Sequence, residues 1–313
     1  MKKIFAMLLA ALTVSSAAML TSCTSSTNEG GETVSLKNAA EIVLAGDTVT
    51  CDSAAVYVGE DGKITITAAG TYNITGTLNN GQIYVDCVDA GKLDLVLNGA
   101  SISNDDGPCI VIWKAQEAVL TLYDGSVNSL SDGSKYKFDN PADDEPDAAV
   151  FSKEDLVING KGSIIIDANY SGGIYSKDGL RIDSGSIEID SVNHAIKGKD
   201  YLVINDGTLK LHALGDGIKS TNIENETVGY IEINGGNLDI YSEDEAVQAV
   251  SGITFNGGTV KIESTNNGIR STQTINFNGG TVDMNAQDNA LDAVAVNKTE
   301  GCAVTINGNP YNG

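Results

Sequence analysis

The sequence predicts an all-β protein built as a parallel β-helix, a solenoid with about 22 residues and three short strands per coil. Three observations predict it. A segment with a small residue followed by an apolar one begins at Ala149, Gly173, Ala195, Gly217, Ala246, Gly268 and Ala290, with spacings of 24, 22, 22, 29, 22 and 22 residues. A second landmark, Gly185, Gly207, Gly236, Gly258 and Gly280, keeps the same beat, and one insertion within Thr221 to Gly229 accounts for the value of 29 in both series. Two landmarks sharing a period and an insertion are the signature of stacked units. Third, each unit holds three short alternating runs. In the unit from Gly217, Ile218 and Ser220 face one way and Lys219 the other, Ile231 and Ile233 flank Glu232, and Leu238 and Ile240 flank Asp239. Period-two alternation indicates strands, and no helical stretch intervenes.

The elements follow in chain order. Lys2 and Lys3 precede an apolar run from Ile4 to Leu12, too short for a membrane span and suited to a secretory signal. The run ends at Leu20-Thr21-Ser22-Cys23, a lipoprotein-type cleavage box. Residues 1–22 are therefore read as a lipoprotein signal peptide, Cys23 as the lipidated residue and 23–40 as a polar tether. The lipid is the expected membrane anchor on a bacterial cell envelope. The remaining 41–313 form one solenoid. Its N-terminal part, Glu41 to Asp132, has looser spacing and reads as irregular coils with a cap, since a solenoid must cover its ends. Ser131 to Asp147 is rich in Asp, Glu and Pro and reads as an acidic surface loop.

Within the repeats, Val150, Ile174, Ile196, Ile218, Val247, Ile269 and Leu291 are expected to stack as an inward ladder, followed by the smaller Ser152, Ser176, Gly198, Ser220, Ala249, Ser271 and Ala293. Asn159, Asn205, Asn234, Asn256 and Asn278 mark turns, where Asn tolerates left-handed backbone and bonds neighbouring turns. Cys51, Cys87, Cys109 and Cys302 form no CxxC pair and read as small buried hydrophobes, although an exported chain permits disulfides.

Composition excludes several functions. Asp plus Glu number 42 against 19 Lys plus Arg, a net charge of −23. Nucleic-acid binding needs basic surface and is excluded. Two His make a His-rich zinc site untenable. Nucleophile-elbow, P-loop, HExxH and dinucleotide-binding signatures are absent. The outward row Phe151, Tyr175, Lys197, Lys219, Gln248, Arg270 and Asp292 begins aromatic and turns basic in an acidic protein. With Trp113 it suits a glycan: aromatic faces stack on sugar rings, and Lys or Arg binds a uronate carboxylate. The alternative is an ordinary solvated sheet face.

Beside that row lie Asp216, Asp244 and Glu245, with Asn266, Asn267, Asp288 and Asn289 further on. Asp216 and Glu245 are equivalent positions of adjacent coils, about 4.8 Å apart, a spacing at which two carboxylates can share a calcium ion. The inserted Glu224, Asn225 and Glu226 are candidate additional ligands. An Asx-turn ladder would produce the same residues without a metal.

The stretches Gly70-Thr71-Tyr72 to Gly76-Thr77-Leu78, Val96-Leu97-Asn98-Gly99, Ala149 to Asn159-Gly160, Gly173 to Asp178, Gly215 to Ser220 and Gly229 to Ile233 carry a family resemblance. The chain resembles a bacterial carbohydrate-binding domain family of unknown function, over about Val43 to Ala286. That resemblance implies a right-handed parallel β-helix of polysaccharide-lyase-like shape, surface-exposed, calcium-associated and binding plant cell-wall polysaccharide. The family's Asp-Gly-Ile-Lys/Arg coil start maps onto Asp216 to Lys219. It is altered at Asn193-His194-Ala195, Glu245-Ala246 and Asn267-Gly268, which leaves the number of calcium sites open.

Three functions follow as expectations. The first is a surface-anchored, non-catalytic polysaccharide-binding lipoprotein using calcium. The second is a calcium-dependent lyase acting on uronate-containing glycans, with Lys197, Lys219 or Arg270 as the base that removes the C5 proton. The third is an envelope adhesin with no glycan role. With only two arginines, Arg181 and Arg270, a dense cationic subsite is thin.

Overall fold

In the computed structural model, which describes residues 26–27, 33–138, 140, 142–225 and 227–313, the chain winds into a parallel β-helix. Cys23 and the leader lie outside the described residues, as does Glu226. No helix occurs among those described. A representative coil comprises Ile218–Ser220, Tyr230–Ile233 and Asn237–Ser242. Each strand pairs in parallel with its counterparts one coil before and one coil after. The first strands of successive coils make one eleven-stranded sheet, from Leu291–Asp292 back to Val56–Val58.

Alternation within each short strand builds the interior. Val150, Ile174, Ile196, Ile218, Val247 and Ile269 are all fully buried. They stack in register, so each apolar side chain is covered by its neighbours above and below. The next row is buried as expected, and its hydroxyls are satisfied locally: Ser152 Oγ and Ser176 Oγ donate to Glu154 O at 2.7 and 2.9 Å. At the last coil the ladder frays, with Leu291 and Ala293 only half-buried.

The second landmark of the sequence has a steric cause. Gly185, Gly207, Gly236, Gly258 and Gly280 all have positive φ, between 80° and 121°. A Cβ on Gly236, Gly258 or Gly280 would lie 2.8, 2.7 or 2.5 Å from the carbonyl oxygen of the glycine one coil earlier. Only glycine turns this corner while the coils stack. Beside it the asparagines form a continuous amide ladder. Asn234 donates to Asn205, Asn256 to Asn234 and Asn278 to Asn256, at 2.8–2.9 Å.

Both ends are closed by antiparallel pairs, Ala40–Gly46 with Thr48–Cys51 and Cys302–Ile306 with Asn309–Pro310. Covered ends keep the solenoid from pairing with other chains. In the two early coils a single bent strand, Gly70–Leu78 or Lys92–Ser103, spans the corner that later coils make with a break. The four cysteines among the described residues are free thiols, and Cys87 and Cys109 are buried without pairing.

The segment from Ser131 to Asp147 is a surface loop, with Asp143 and Asp144 exposed, but it is anchored at both ends. It folds down over the first-strand sheet, where Asp132 is 4% exposed. Asp132 accepts hydrogen bonds from the Tyr136 hydroxyl and the Asn169 amide, and Glu145 pairs with Lys177. Tyr136 stacks on Tyr170 with centroids 4.0 Å apart. Aromatic rings within the acidic run hold the segment against the sheet.

Candidate functional site

The outward row forms as expected from the register. Tyr84, Val111, Phe151, Tyr175, Lys197, Lys219, Gln248, Arg270 and Asp292 follow one another across the first-strand sheet, one per coil. The row is not uniformly exposed. Phe151 and Tyr175 are 0% exposed and pack with Val111 and Ala148 in a small second core. The reading of both as sugar-stacking rings is thereby corrected. Their rings point away from the main core, but the descending segment and its flanks seal them off. Glu145 and Asp147 of that segment pair with Lys177 and with Lys197, the latter at 3.4 Å.

Past Tyr175 the row opens beside the acidic bend. Ligand atoms of Asp216, Asp244 and Glu245 all lie within 4.8 Å of one another, the single such cluster among the described residues. Stacking positions it. Asp216 N donates to His194 Nδ1 at 2.9 Å, Glu245 N to Asp216 Oδ1 at 3.1 Å, and Asn267 Nδ2 to Glu245 Oε1 at 3.1 Å. These are equivalent positions of four successive coils. One position earlier, Asn266 Nδ2 donates to Asp244 Oδ1 at 2.8 Å. Part of the expected Asx ladder is thus real, and it presents carboxylates to one point.

Asp216 is 0% and Glu245 3% exposed. Burial, reinforced by Glu245, pushes the Asp216 carboxyl up to about 6. Asp244 is also raised, by burial first and then by Glu245. Burial pushes Glu245 the same way, but hydrogen bonds from Asp244, Arg270, Asn267 and Asp216 outweigh it and hold this carboxyl down. The three carboxylates repel one another, so Glu245 ionises before Asp216 and Asp244, with Lys219 and Arg270 offsetting part of the charge. His194 is pushed down to about 3 by burial and by Lys219 and Lys197. Because its Nδ1 accepts the Asp216 amide, the neutral ring carries its proton on Nε2, and its 3.4 Å approach to Asp216 Oδ2 is no ion pair.

The basic residues lean on this cluster. Lys219 Nζ lies 2.6 Å from Asp216 Oδ2, an ion contact without hydrogen-bond alignment, and Arg270 Nη1 lies 3.0 Å from Glu245 Oε1. Arg270 Nε reaches Asp292 at 3.3 Å. Lys197 Nζ sits 3.8 Å over the Tyr175 ring, and burial lowers its proton affinity despite Asp147. Gln248 stands half-buried between Lys219 and Arg270.

Asn267 Oδ1 is buried without a hydrogen-bond partner, and the equally buried Asp216 Oδ2 is met only by Lys219 and the neutral His194 ring. Buried unsatisfied oxygens are costly, and their pairing with carboxylates matches the all-oxygen donor set of a hard divalent cation. The residues therefore fit calcium. Glu224 and Asn225 of the inserted loop do not join the cluster among the described residues. The loop leaves the first strand after Ser220, at the opposite end from Asp216, and both side chains are exposed.

Sequence reasoning placed Asn267 in the bend row but missed His194 and Asp147 as site residues. His194 was detectable, since it lies 22 residues from Asp216 in the same repeat column. Asp147 gave no such signal, because it acts from outside the repeat. Trp113 lies apart from the cluster. It stacks on Tyr84 with centroids 6.3 Å apart, one side of the descending segment away from Lys219.

A parallel β-helix with a buried carboxylate cluster on one sheet face defines the class: a polysaccharide-lyase-like solenoid. The polysaccharide lyase-like protein from C. thermocellum, solved as a gadolinium derivative, superposes with a TM-score of 0.71 at 31% identity, covering 83% of this chain and all of that one. Residues 60–310 match the family described as carbohydrate-binding domain-containing protein, and the chain belongs to that family. A carbohydrate-binding domain-containing protein of Acetivibrio thermocellus is 35% identical over 150 residues, which is 48% of this chain and 52% of that protein. The chain thus spans about half the length of that relative.

Proposed function

We propose that this protein binds acidic polysaccharide through calcium held at Asp216, Asp244 and Glu245, without cleaving it. The observation that carries the reading is the three-carboxylate cluster, with Asp216 and Glu245 buried and Asn267 Oδ1 unpartnered beside them, set next to Lys219 and Arg270 on a carbohydrate-binding family fold. Calcium there, with Asn267 as a further oxygen donor, would supply the positive charge that draws a uronate carboxylate. Lys219 and Arg270 would orient the sugar acid by charge-assisted hydrogen bonds.

A lyase base needs a free lone pair, whereas Glu245 holds Arg270 in its protonated form and Lys219 Nζ is engaged 2.6 Å from Asp216 Oδ2. The lyase reading retains one favourable observation, the lowered proton affinity of Lys197. The expected result is retention of the protein on polygalacturonate in calcium, loss of retention in chelator, and no rise in absorbance near 235 nm in the supernatant (the unsaturated-uronate chromophore). Calcium-dependent absorbance abolished by Lys197→Ala would replace binding with lysis. Retention that ignores calcium would remove the cluster from the mechanism.

The location is part of the same proposal: export, and lipid anchoring through Cys23 to the cell envelope. Cys23→Ala is expected to move the protein from the membrane fraction to the soluble fraction. Unchanged fractionation would discard the anchor.

A further inference from the structure

A second cleft lies on the same sheet face, toward the N-terminal end, on the other side of the descending segment. Its volume is about 440 Å3, within the range of small-ligand sites, roughly 300–1,000 Å3. Tyr84 and Val111 are in register on adjacent strands, and Val111 and Lys219 are four coils apart. At about 4.8 Å per coil the cleft centre is roughly 19 Å from Lys219, so this is not the carboxylate cluster.

Its lining is unusual for this chain. Aromatic residues make up 5% of the sequence, yet four line this one cleft, including the sole tryptophan: Tyr84, Trp113, Tyr136 and Phe138. Tyr84 and Trp113 come from the sheet and stack nearly parallel, at 24°. Tyr136 and Phe138 come from the descending segment, which is held to the neighbouring coil by the stacking of Tyr136 on Tyr170 and by the Asn169 amide donating to Asp132. Each element supplies one wall, and both walls are tied down before any ligand arrives.

Charge narrows the ligand. The carboxylates are Asp61, Asp106, Asp143 and Glu145, against Lys63 and Lys137. Lys137 is consumed by Asp106, and Lys63 Nζ sits 3.7 Å over the Tyr84 ring. With Lys153 over Trp113 and Lys177 on Glu145, the four carboxylates are balanced and every lysine is already engaged, so a uronate finds no free cation, whereas hydroxyls of an uncharged sugar find carboxylate acceptors. Lys63 over Tyr84 and Lys153, 3.5 Å over Trp113, cap the outer ring faces. Exposed cation–π contacts are weak and their side chains flexible, so a sugar C–H face can displace them.

We infer that the Tyr84–Trp113 cleft is a second glycan subsite, taking a stretch of uncharged pyranose rings. It rests on the glycan-binding reading but not on the metal. The two sites would let one face grip a polymer, or two polymers, at an uncharged stretch and at an acidic one.

The lone Trp113 is the reporter. Full-length protein is titrated with cellohexaose and, separately, with hexagalacturonate, each in chelator and in calcium, while tryptophan emission is followed. Cellohexaose is expected to change the emission equally in both conditions, and hexagalacturonate to leave it unchanged in chelator. Tyr84→Ala should weaken cellohexaose binding about tenfold, and Tyr84→Phe should restore it, because the ring and not the hydroxyl makes the surface. Both variants should keep calcium-dependent retention on polygalacturonate, which also reports that they fold. No emission change with cellohexaose, or an undiminished affinity in a folded Tyr84→Ala protein, overturns the subsite. Failure of polygalacturonate retention alone strikes the metal-dependent reading and leaves this one standing.

Discussion

Calcium is expected to raise the melting temperature of the protein by about 5–10 °C at a hundredfold excess over its dissociation constant, and magnesium is expected to raise it much less. Binding at that excess stabilises the folded state by about 2.7 kcal/mol, and each kcal/mol moves the midpoint of a chain this size by roughly 2–4 °C. Discrimination follows from the donors. Asp216, Asp244 and Glu245 are fixed by backbone and amide contacts between coils, in no arrangement built for the small octahedral shell magnesium requires. The double change Asp216→Asn with Glu245→Gln is expected to remove most of the difference between the two ions while keeping the coil contacts.

The calcium effect carries a pH signature. The Asp216 carboxyl is raised by burial to about 6. A raised carboxyl stabilises the fold in its protonated form, fully below the ordinary carboxylate value near 3.9 and no longer once pH has risen through about 6. Calcium must displace that proton. The calcium-induced shift should be complete above about pH 7 and fade as pH falls through 6. Equal action of the two ions, a double mutant that responds like the parent, or a shift independent of pH would each remove the ion from this cluster.

The second large effect concerns the core and its charged neighbour. Ile218→Asp is expected to cost more than about 4 kcal/mol, since it places an unpaired carboxylate in a ladder buried above and below. Lys219→Ala, one residue on, is expected to cost about 2 kcal/mol at pH 7. Sequence alternation placed Lys219 in solvent, where such a change would be nearly neutral. The structure holds Lys219 against Asp216, and removing one partner of a buried pair leaves the other uncompensated. At pH 5 Asp216 takes a proton instead, and the cost should shrink. Denaturant midpoints for both variants at the two pH values decide it. An undiminished Lys219→Ala effect at pH 5 would mean that lost packing, not charge, is responsible.

Much of the fold was legible because a solenoid writes its contacts into sequence periodicity. Ile218 touches Ile196 and Val247 because they occupy the same column, and the 29-residue step is absorbed by the loop from Thr221 to Gly229 without disturbing that register. The glycine landmark was legible for a related reason. A positive φ combined with a carbonyl one coil away leaves no room for a Cβ. The carboxylate cluster was legible in part: Asp216 and Glu245 share a column, so their proximity follows from coil spacing alone. His194 and Asn267 sit in the same column but read as departures from the acidic pattern, when they are its hydrogen-bonding ends.

What the sequence by itself determined is everything that repeats: the strand order, the inward ladders, the amide ladder, and the carboxylates brought together one coil apart. Only the tertiary structure decided what happens where a non-repeating segment meets the repeat. Phe151 and Tyr175 occupy outward positions by alternation, yet they are buried because the segment ending at Asp147 descends on them. The same segment supplies Tyr136 and Phe138 opposite Tyr84 and Trp113 and so creates the second cleft. The physical reason is that periodicity fixes the contacts between equivalent residues of neighbouring coils. A loop has no equivalent residue, and its seat depends on aromatic packing and ion pairs between positions unrelated in the repeat, such as Asp147 with Lys197.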